Sequence, residues 1–191
     1  MPGVKHPVAD RHRKYPMSEQ KAAHAASRRI LVLVAFGTLL VGASISGALP
    51  TKLVWNASPS IPTGLYLIKN TEPSRDDLVL VLLPEWARFI ADKRQYLPSS
   101  IPALKRVSAL SGDRVCRFGR SVFVNRVEVV TARLTDNQLR NMPHWRGCRT
   151  LLDDEVLLLA DHRNSFDGRY FGVTKTAGII GVAHPIWTNE K

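Results

Sequence analysis

The sequence predicts a mostly β domain of short antiparallel strands behind one N-terminal transmembrane helix. Short apolar and β-branched runs recur through residues 50–191, each bounded by turn-forming residues. Twelve Gly and twelve Pro are spread along the chain, which favours frequent turns over long helices. One stretch, residues 30–49, runs for twenty residues without a charge.

That stretch, ILVLVAFGTLLVGASISGAL, has about the length needed to cross a hydrocarbon core of roughly 30 Å. Arg28 and Arg29 directly precede it, and residues 1–29 hold seven basic side chains against two acidic ones. The positive-inside rule therefore places this tail in the cytoplasm and everything after Leu49 on the far side. A cleavable signal peptide is the alternative: Ile30 to Val41 has the length of an apolar signal core, and the small residues Gly42 to Ala48 offer a cleavage site. We read the segment as an uncleaved anchor; both readings export the remainder.

The net charge of +11 is partly explained by that tail, and the rest is spread over the chain without a dense basic run. Nucleic acid is therefore not an expected partner. Cys116 and Cys148 are too few for a disulfide scaffold or a four-ligand zinc site. In a cytosolic protein they would be two buried thiols; export favours one bridge between them. None of the six histidines falls in a metal-binding pattern, and neither a metal nor another cofactor is expected.

Beyond the membrane segment, Thr51–Trp55, Leu65–Ile68 and Leu78–Leu83 read as strands. Residues 84–104 begin weakly helical and then form a proline-containing loop or cap. Strand patterns return in Lys105–Leu110, Arg114–Phe118, Ser121–Val124, Val127–Val130, Glu155–Leu159 and Gly178–Trp187. Gly112-Asp113 and Val124-Asn125-Arg126 supply turns. Residues 131–150 are more polar and irregular, within a small insertion expected over about 119–154.

Three segments carry candidate chemistry. In Asn56-Ala-Ser58-Pro-Ser60-Ile-Pro62-Thr-Gly64-Leu-Tyr66, the prolines fix φ and bias their predecessors away from helix, so the loop can present one hydroxyl rigidly. Alone, Ser-Pro-Ser is also an ordinary loop. Lys105 lies in an apolar strand-like run. If buried there it loses its preference for the charged form and can accept a serine proton; the alternative is a lysine pointing outward. From Leu159 to Gly172, polar groups crowd between two apolar strands. They fit either a network that fixes an active site or a solvated loop with an Asp167–Arg169 salt bridge.

In this order, the three segments resemble the S26 serine peptidases, the signal peptidase I clan. Lys105-Arg106-Val107 with Gly112-Asp113-Arg114-Val115 resembles the lysine box of that family, and Asp77–Val81 its preceding strand box. Residues 160–169 resemble its Gly-Asp…Asn-Ser-x-Asp-x-Arg box, with Ala160 in place of the first Gly. The resemblance runs from about residue 30 to 187. Ordinary signal peptidases carry Ser-x-Ser-Met-x-Pro. Here Ser60 stands two residues before Pro62, followed by Gly64-Leu65-Tyr66. This pattern, with Ser165-Phe-Asp167-x-Arg169-Tyr-Phe-Gly172, resembles the TraF-type peptidases of conjugative transfer systems.

The resemblance implies a signal-peptidase-like β-fold and a Ser–Lys dyad. Ser60 is then the nucleophile and Lys105 its general base. The Ser60 N–H and the Ser58 hydroxyl hold the oxyanion, Ser165 orients Lys105, and Asp167 and Arg169 brace their loop. The implied substrate is a membrane-inserted pilin precursor, cleaved or cyclised. The implied site is the bacterial inner membrane with the domain in the periplasm, or the periplasm alone if the segment is cleaved. Ser60 follows Leu49 by eleven residues, a reach of at most about 35–40 Å. Two alternatives stand beside this one. A general signal peptidase would need a large second β-subdomain, for which residues 119–154 leave little space. An anchored, non-catalytic component of the transfer apparatus would use the three motifs only as turns.

Overall fold

The computed structural model describes residues 28–39, 41–42 and 53–189. The chain divides into two units, residues 1–50 and 51–191. In the first unit the described residues form a helix, α1, over residues 28–39 and 41–42. Its apolar side chains, among them Ile30, Leu33 and Phe36, are exposed. Among the described residues no helix is long and apolar enough to cross a membrane. The expected span over 30–49 extends past them, and the tail through residue 27 lies outside them.

Among the described residues the second unit contains eleven strands, two α-helices and a short 3₁₀ turn at Thr176–Gly178: β1 (Leu53–Asn56), β2 (Thr63–Lys69), β3 (Leu78–Val81), α2 (Glu85–Lys93), β4 (Ala103–Ala109), β5 (Arg114–Phe118), β6 (Ser121–Val124), β7 (Val127–Thr131), β8 (Gly147–Thr150), β9 (Glu155–Leu159), α3 (Gly168–Phe171), β10 (Val173–Lys175) and β11 (Ile179–Asn189). They build a seven-stranded sheet, β1-β2-β11-β3-β4-β9-β10, and a four-stranded sheet, β7-β6-β5-β8. Every pairing is antiparallel.

The two-residue period of a strand explains how the large sheet is buried on both faces. Along β3, Val79 and Val81 join one core cluster with Ala87, Ala91 and Val107, while Leu80 joins another with Ile61, Tyr66 and Leu104. Along β9, Val156 and Leu158 face the first cluster. Leu157 and Leu159 face a third, shared with Val115, Val122 and Val124 of the small sheet. Helix α2 starts after Pro84, places Glu85 in its first turn and Lys93 in its last, and buries Ala87 and Ala91 on one face. The weak helical pattern after residue 84 is thus a real helix that roofs the core.

Expected strands from Lys105 onward are present to within a few residues, and Thr51 and Lys52 lie outside the described residues. Strands β6, β7 and β8 of the small sheet fall within 119–154, and residues 132–146 between β7 and β8 form no named strand or helix. Strand β8 carries no apolar alternation and is exposed throughout, so its run gives no pattern to read. It is fixed instead by pairing with β5, where Cys116 faces Cys148 in register and forms the expected disulfide. Strand β10 is three residues long and follows Gly172, whose φ of +78° reverses the chain after α3.

Candidate active site

The loop from Ala57 to Pro62 links β1 to β2, and Asn56 organises it. Asn56 Nδ2 lies within donating distance of the carbonyls of Ser58 (3.0 Å), Ile61 (2.9 Å) and Pro62 (3.1 Å), and Oδ1 accepts from Ser58 N at 3.1 Å. With two amide hydrogens for three carbonyls, at least one bond is shared. The Tyr66 hydroxyl donates to Pro62 O at 2.6 Å, and Ile61 is buried beneath the loop. Gly64 closes it: a Cβ there would lie 2.1 Å from the Trp187 carbonyl oxygen of β11, at a φ of +149° that disfavours other residues. The glycine of the Ser-x-Pro-x-Gly pattern is therefore a sheet-packing requirement.

On this frame Ser58 Oγ and Ser60 Oγ lie 2.9 Å apart, and the Ser60 N–H donates to Ser58 Oγ at 3.3 Å. Asn56→Ala removes the side-chain donor to the buried Ile61 carbonyl and to Ser58 O, while Pro62 O keeps the Tyr66 hydroxyl. It is expected to cost about 1–3 kcal/mol of stability, measured by urea denaturation, together with a loss of peptidase activity.

Lys105 sits on β4, an interior strand, opposite Val79 of β3. It is 4% exposed, and its Nζ donates to Ser165 Oγ at 2.8 Å. Burial pushes its amine down to about 8; the Asp167 carboxylate pulls it back up and the Arg169 guanidinium pushes it down further. The outward-pointing alternative is thereby excluded.

Asp167 and Arg169 lie behind Lys105, both buried. Asp167 Oδ1 accepts from Arg169 N (3.0 Å) and Nε (2.8 Å), and Oδ2 from Arg169 Nη2 and Ala160 N (2.8 and 2.9 Å). Arg169 Nη2 also donates to Ala160 O at 2.6 Å. Arg117, buried on β5, donates to the Arg169 carbonyl and ties the small sheet to this loop. Asp167 also caps α3. Its lone pairs are fully engaged, so the pair has the geometry of a brace.

A cleft of about 1080 Å³ is lined by Ser58, Ser60, Lys105 and Ser165 together. Asn56, Trp55, Tyr96 and Phe166 contribute to its walls. Four of the six residues picked from the sequence thus share one cleft, with Asp167 and Arg169 behind it. Asn56, Tyr66 and Arg117 are not among those six. Asn56 carries a signal as an asparagine just before a Ser-Pro loop and Tyr66 as the end of the Gly64-Leu65-Tyr66 pattern, whereas Arg117 carries none. Among the described residues no group of His, Cys, Asp and Glu is placed to hold a metal ion.

Residues 25–188 match the family described as signal peptidase, peptidase S26. The chain belongs to the peptidase S26 family. This S26 peptidase is 33% identical over 162 residues to conjugal transfer protein TraF of Agrobacterium fabrum, covering 80% of this chain and 91% of that one. It is 32% identical over 184 residues to a probable conjugal transfer protein TraF of Sinorhizobium fredii, covering 91% and 97%. Against a plasmid transfer protein TraF of Escherichia coli the figures are 34% over 144 residues, covering 70% and 81%. A crystal structure of a signal peptidase I from Enterococcus faecalis overlaps it with a TM-score of 0.37 at 20% identity, over 60% of this chain and 98% of that one. The expected TraF-type S26 serine peptidase is what the comparisons return.

Proposed function

We propose that this S26 peptidase uses a Ser60–Lys105 dyad to mature the pilin of a conjugative plasmid transfer, or type IV secretion, system at the inner membrane, with its domain in the periplasm. The observation that carries the reading is a buried lysine, its amine pushed down to about 8, opening into the same cleft as Ser60. At pH 7 such an amine is neutral in about a tenth of molecules, against fewer than about one in a thousand for an ordinary lysine.

The neutral amine gives one N–H to Ser165 and keeps its lone pair for Ser60. As Ser60 Oγ attacks the scissile carbonyl, its proton passes to Lys105 Nζ. Lys105 then protonates the leaving amine, and an ester to Ser60 remains. Water completes hydrolysis, or the pilin's own amine closes a ring. The Ser60 N–H and the Ser58 hydroxyl, adjacent in this structure, turn to the oxyanion; losing one such donor costs about 100- to 1,000-fold.

Relatives named for conjugal and plasmid transfer support the substrate assignment. A membrane setting is supported by the uncharged run over 30–49 and by exposed apolar side chains on β1 and β11: Leu53, Ile186, and Trp55 stacked 5.7 Å from Trp187. The test is co-expression with the cognate pilin precursor. Ser60→Ala is expected to leave the precursor uncut, and mass spectrometry of the pilin reads the result. Maturation by Ser60→Ala would refute the dyad. Equal processing of unrelated preproteins by the parent enzyme would make it a general signal peptidase instead.

A further inference from the structure

The charged side chains of the cleft are unbalanced. Arg94, Lys105, Arg133 and Arg140 line it against a single carboxylate, Asp136. Arg94 and Arg140 both converge on Asp136, at 3.8 and 2.7 Å, so that carboxylate is already claimed. Arg133 is different. Its Nη1 donates to two amide oxygens, Asn137 Oδ1 at 2.8 Å and Asn164 Oδ1 at 2.7 Å. No carboxylate lies within salt-bridge distance of it among the described residues.

The two amides use both hydrogens of Nη1 and fix the plane of the guanidinium. Nε and Nη2 bond no protein atom among the described residues. These form the side-on pair of donors that meets a carboxylate with two parallel bonds. The placement is tied to the chemistry. Asn164 precedes Ser165, the hydrogen-bond partner of Lys105, and the Arg133 backbone N–H donates to the buried Tyr170 hydroxyl of α3 at 3.1 Å.

Resting on the peptidase reading above, we propose that Arg133 is a specificity determinant that receives a carboxylate of the substrate close to the bond being cut. A peptide offers that chemistry from two sources, an Asp or Glu side chain or the chain's own C-terminus.

The experiment uses peptides spanning the cognate pilin junction. They carry Glu, Gln or Lys in turn at each position flanking the cut, and each is made as a C-terminal acid and as an amide. Affinity is measured on the Ser60→Ala protein, and kcat/KM on the parent. At one position Glu is expected to bind about tenfold or more tightly than Gln. The Glu:Gln ratio is expected to collapse toward one in Arg133→Gln and to turn in favour of Lys in Arg133→Glu. If the acid–amide difference carries the effect instead, the recognised group is the terminus. A preference that survives Arg133→Gln, or a parent that distinguishes neither Glu from Gln nor acid from amide, would overturn the proposal. Failure of the peptidase reading looks different: no peptide is cut, while the Arg133-dependent affinity difference on Ser60→Ala persists. Arg133→Lys keeps the charge without the fork and serves as a folding control, expected to retain only part of the preference.

Discussion

In Lys105→Met, kcat/KM is expected to fall by about 10⁴-fold or more while the protein becomes harder to unfold at pH 7. Both effects follow from the buried amine. An unfolded lysine titrates near 10.5, and the folded one is pushed down to about 8. Between these values the unfolded chain binds a proton that the folded chain does not. Stability of the parent therefore rises with pH across that window. Below pH 8 the fold carries the whole penalty, about 3 kcal/mol for the displacement from 10.5 to 8. Methionine has similar length and no charge to desolvate. It forfeits the bond to Ser165, about 1 kcal/mol, leaving a net gain of about 2 kcal/mol at pH 7. Urea unfolding at pH 7 and pH 10 measures this: the advantage of the variant should shrink as the parent approaches its unfolded titration point. The parent's kcat/KM should rise about tenfold per pH unit below 8 and then level off. A variant less stable than the parent at pH 7 would mean that the amine is not a strained group.

Arg169→Met is expected to cost about 3–5 kcal/mol, a large share of the roughly 5–15 kcal/mol available to a folded domain. The substitution strips two side-chain donors from Asp167 and leaves the Ala160 carbonyl without its 2.6 Å partner. A carboxylate that is fully buried then keeps only the backbone N–H groups of Ala160 and Arg169. The urea midpoint should drop sharply, and lost activity should track the lost folded fraction. That separates a brace from a proton carrier: per folded molecule, Arg169→Met should lose far less than Lys105→Met. Replacing Asp167 and Arg169 together by apolar residues should recover part of the stability, because no orphaned charge remains.

What could be read from the sequence follows from where each signal resides. Strands β3 and β9 are interior and nearly continuous in apolar residues, so their composition alone marks them, whereas β4 is interior but interrupted by Lys105, Arg106 and Ser108. β8 is written in Gly-Cys-Arg-Thr and exists through its partner strand, which no local window contains. Ser60 and Lys105 became legible through the order of their motifs. Burial of Lys105 could be suspected from its apolar neighbours but not decided, because a strand shows the same residues whichever face is inward. Asn56 gives all its bonds to backbone six residues away or fewer, an assignment that needs the loop already folded. Arg133 was invisible for another reason: a basic residue in a polar stretch is ordinary until its neighbours are known to be amides. Hydropathy remains the witness for residues 43–52, which lie outside the described residues.

The position of β11 has a consequence in time. Ile179–Asn189 is the last strand along the chain, yet it lies between β2 and β3 in the large sheet. The hairpin that carries Ser60 meets the strands that carry Lys105 across this late strand. Continuity of the large sheet between the Ser60 hairpin and the Lys105 strand is therefore completed only when β11, made after both motifs, is inserted between them, a pairing of high sequence separation.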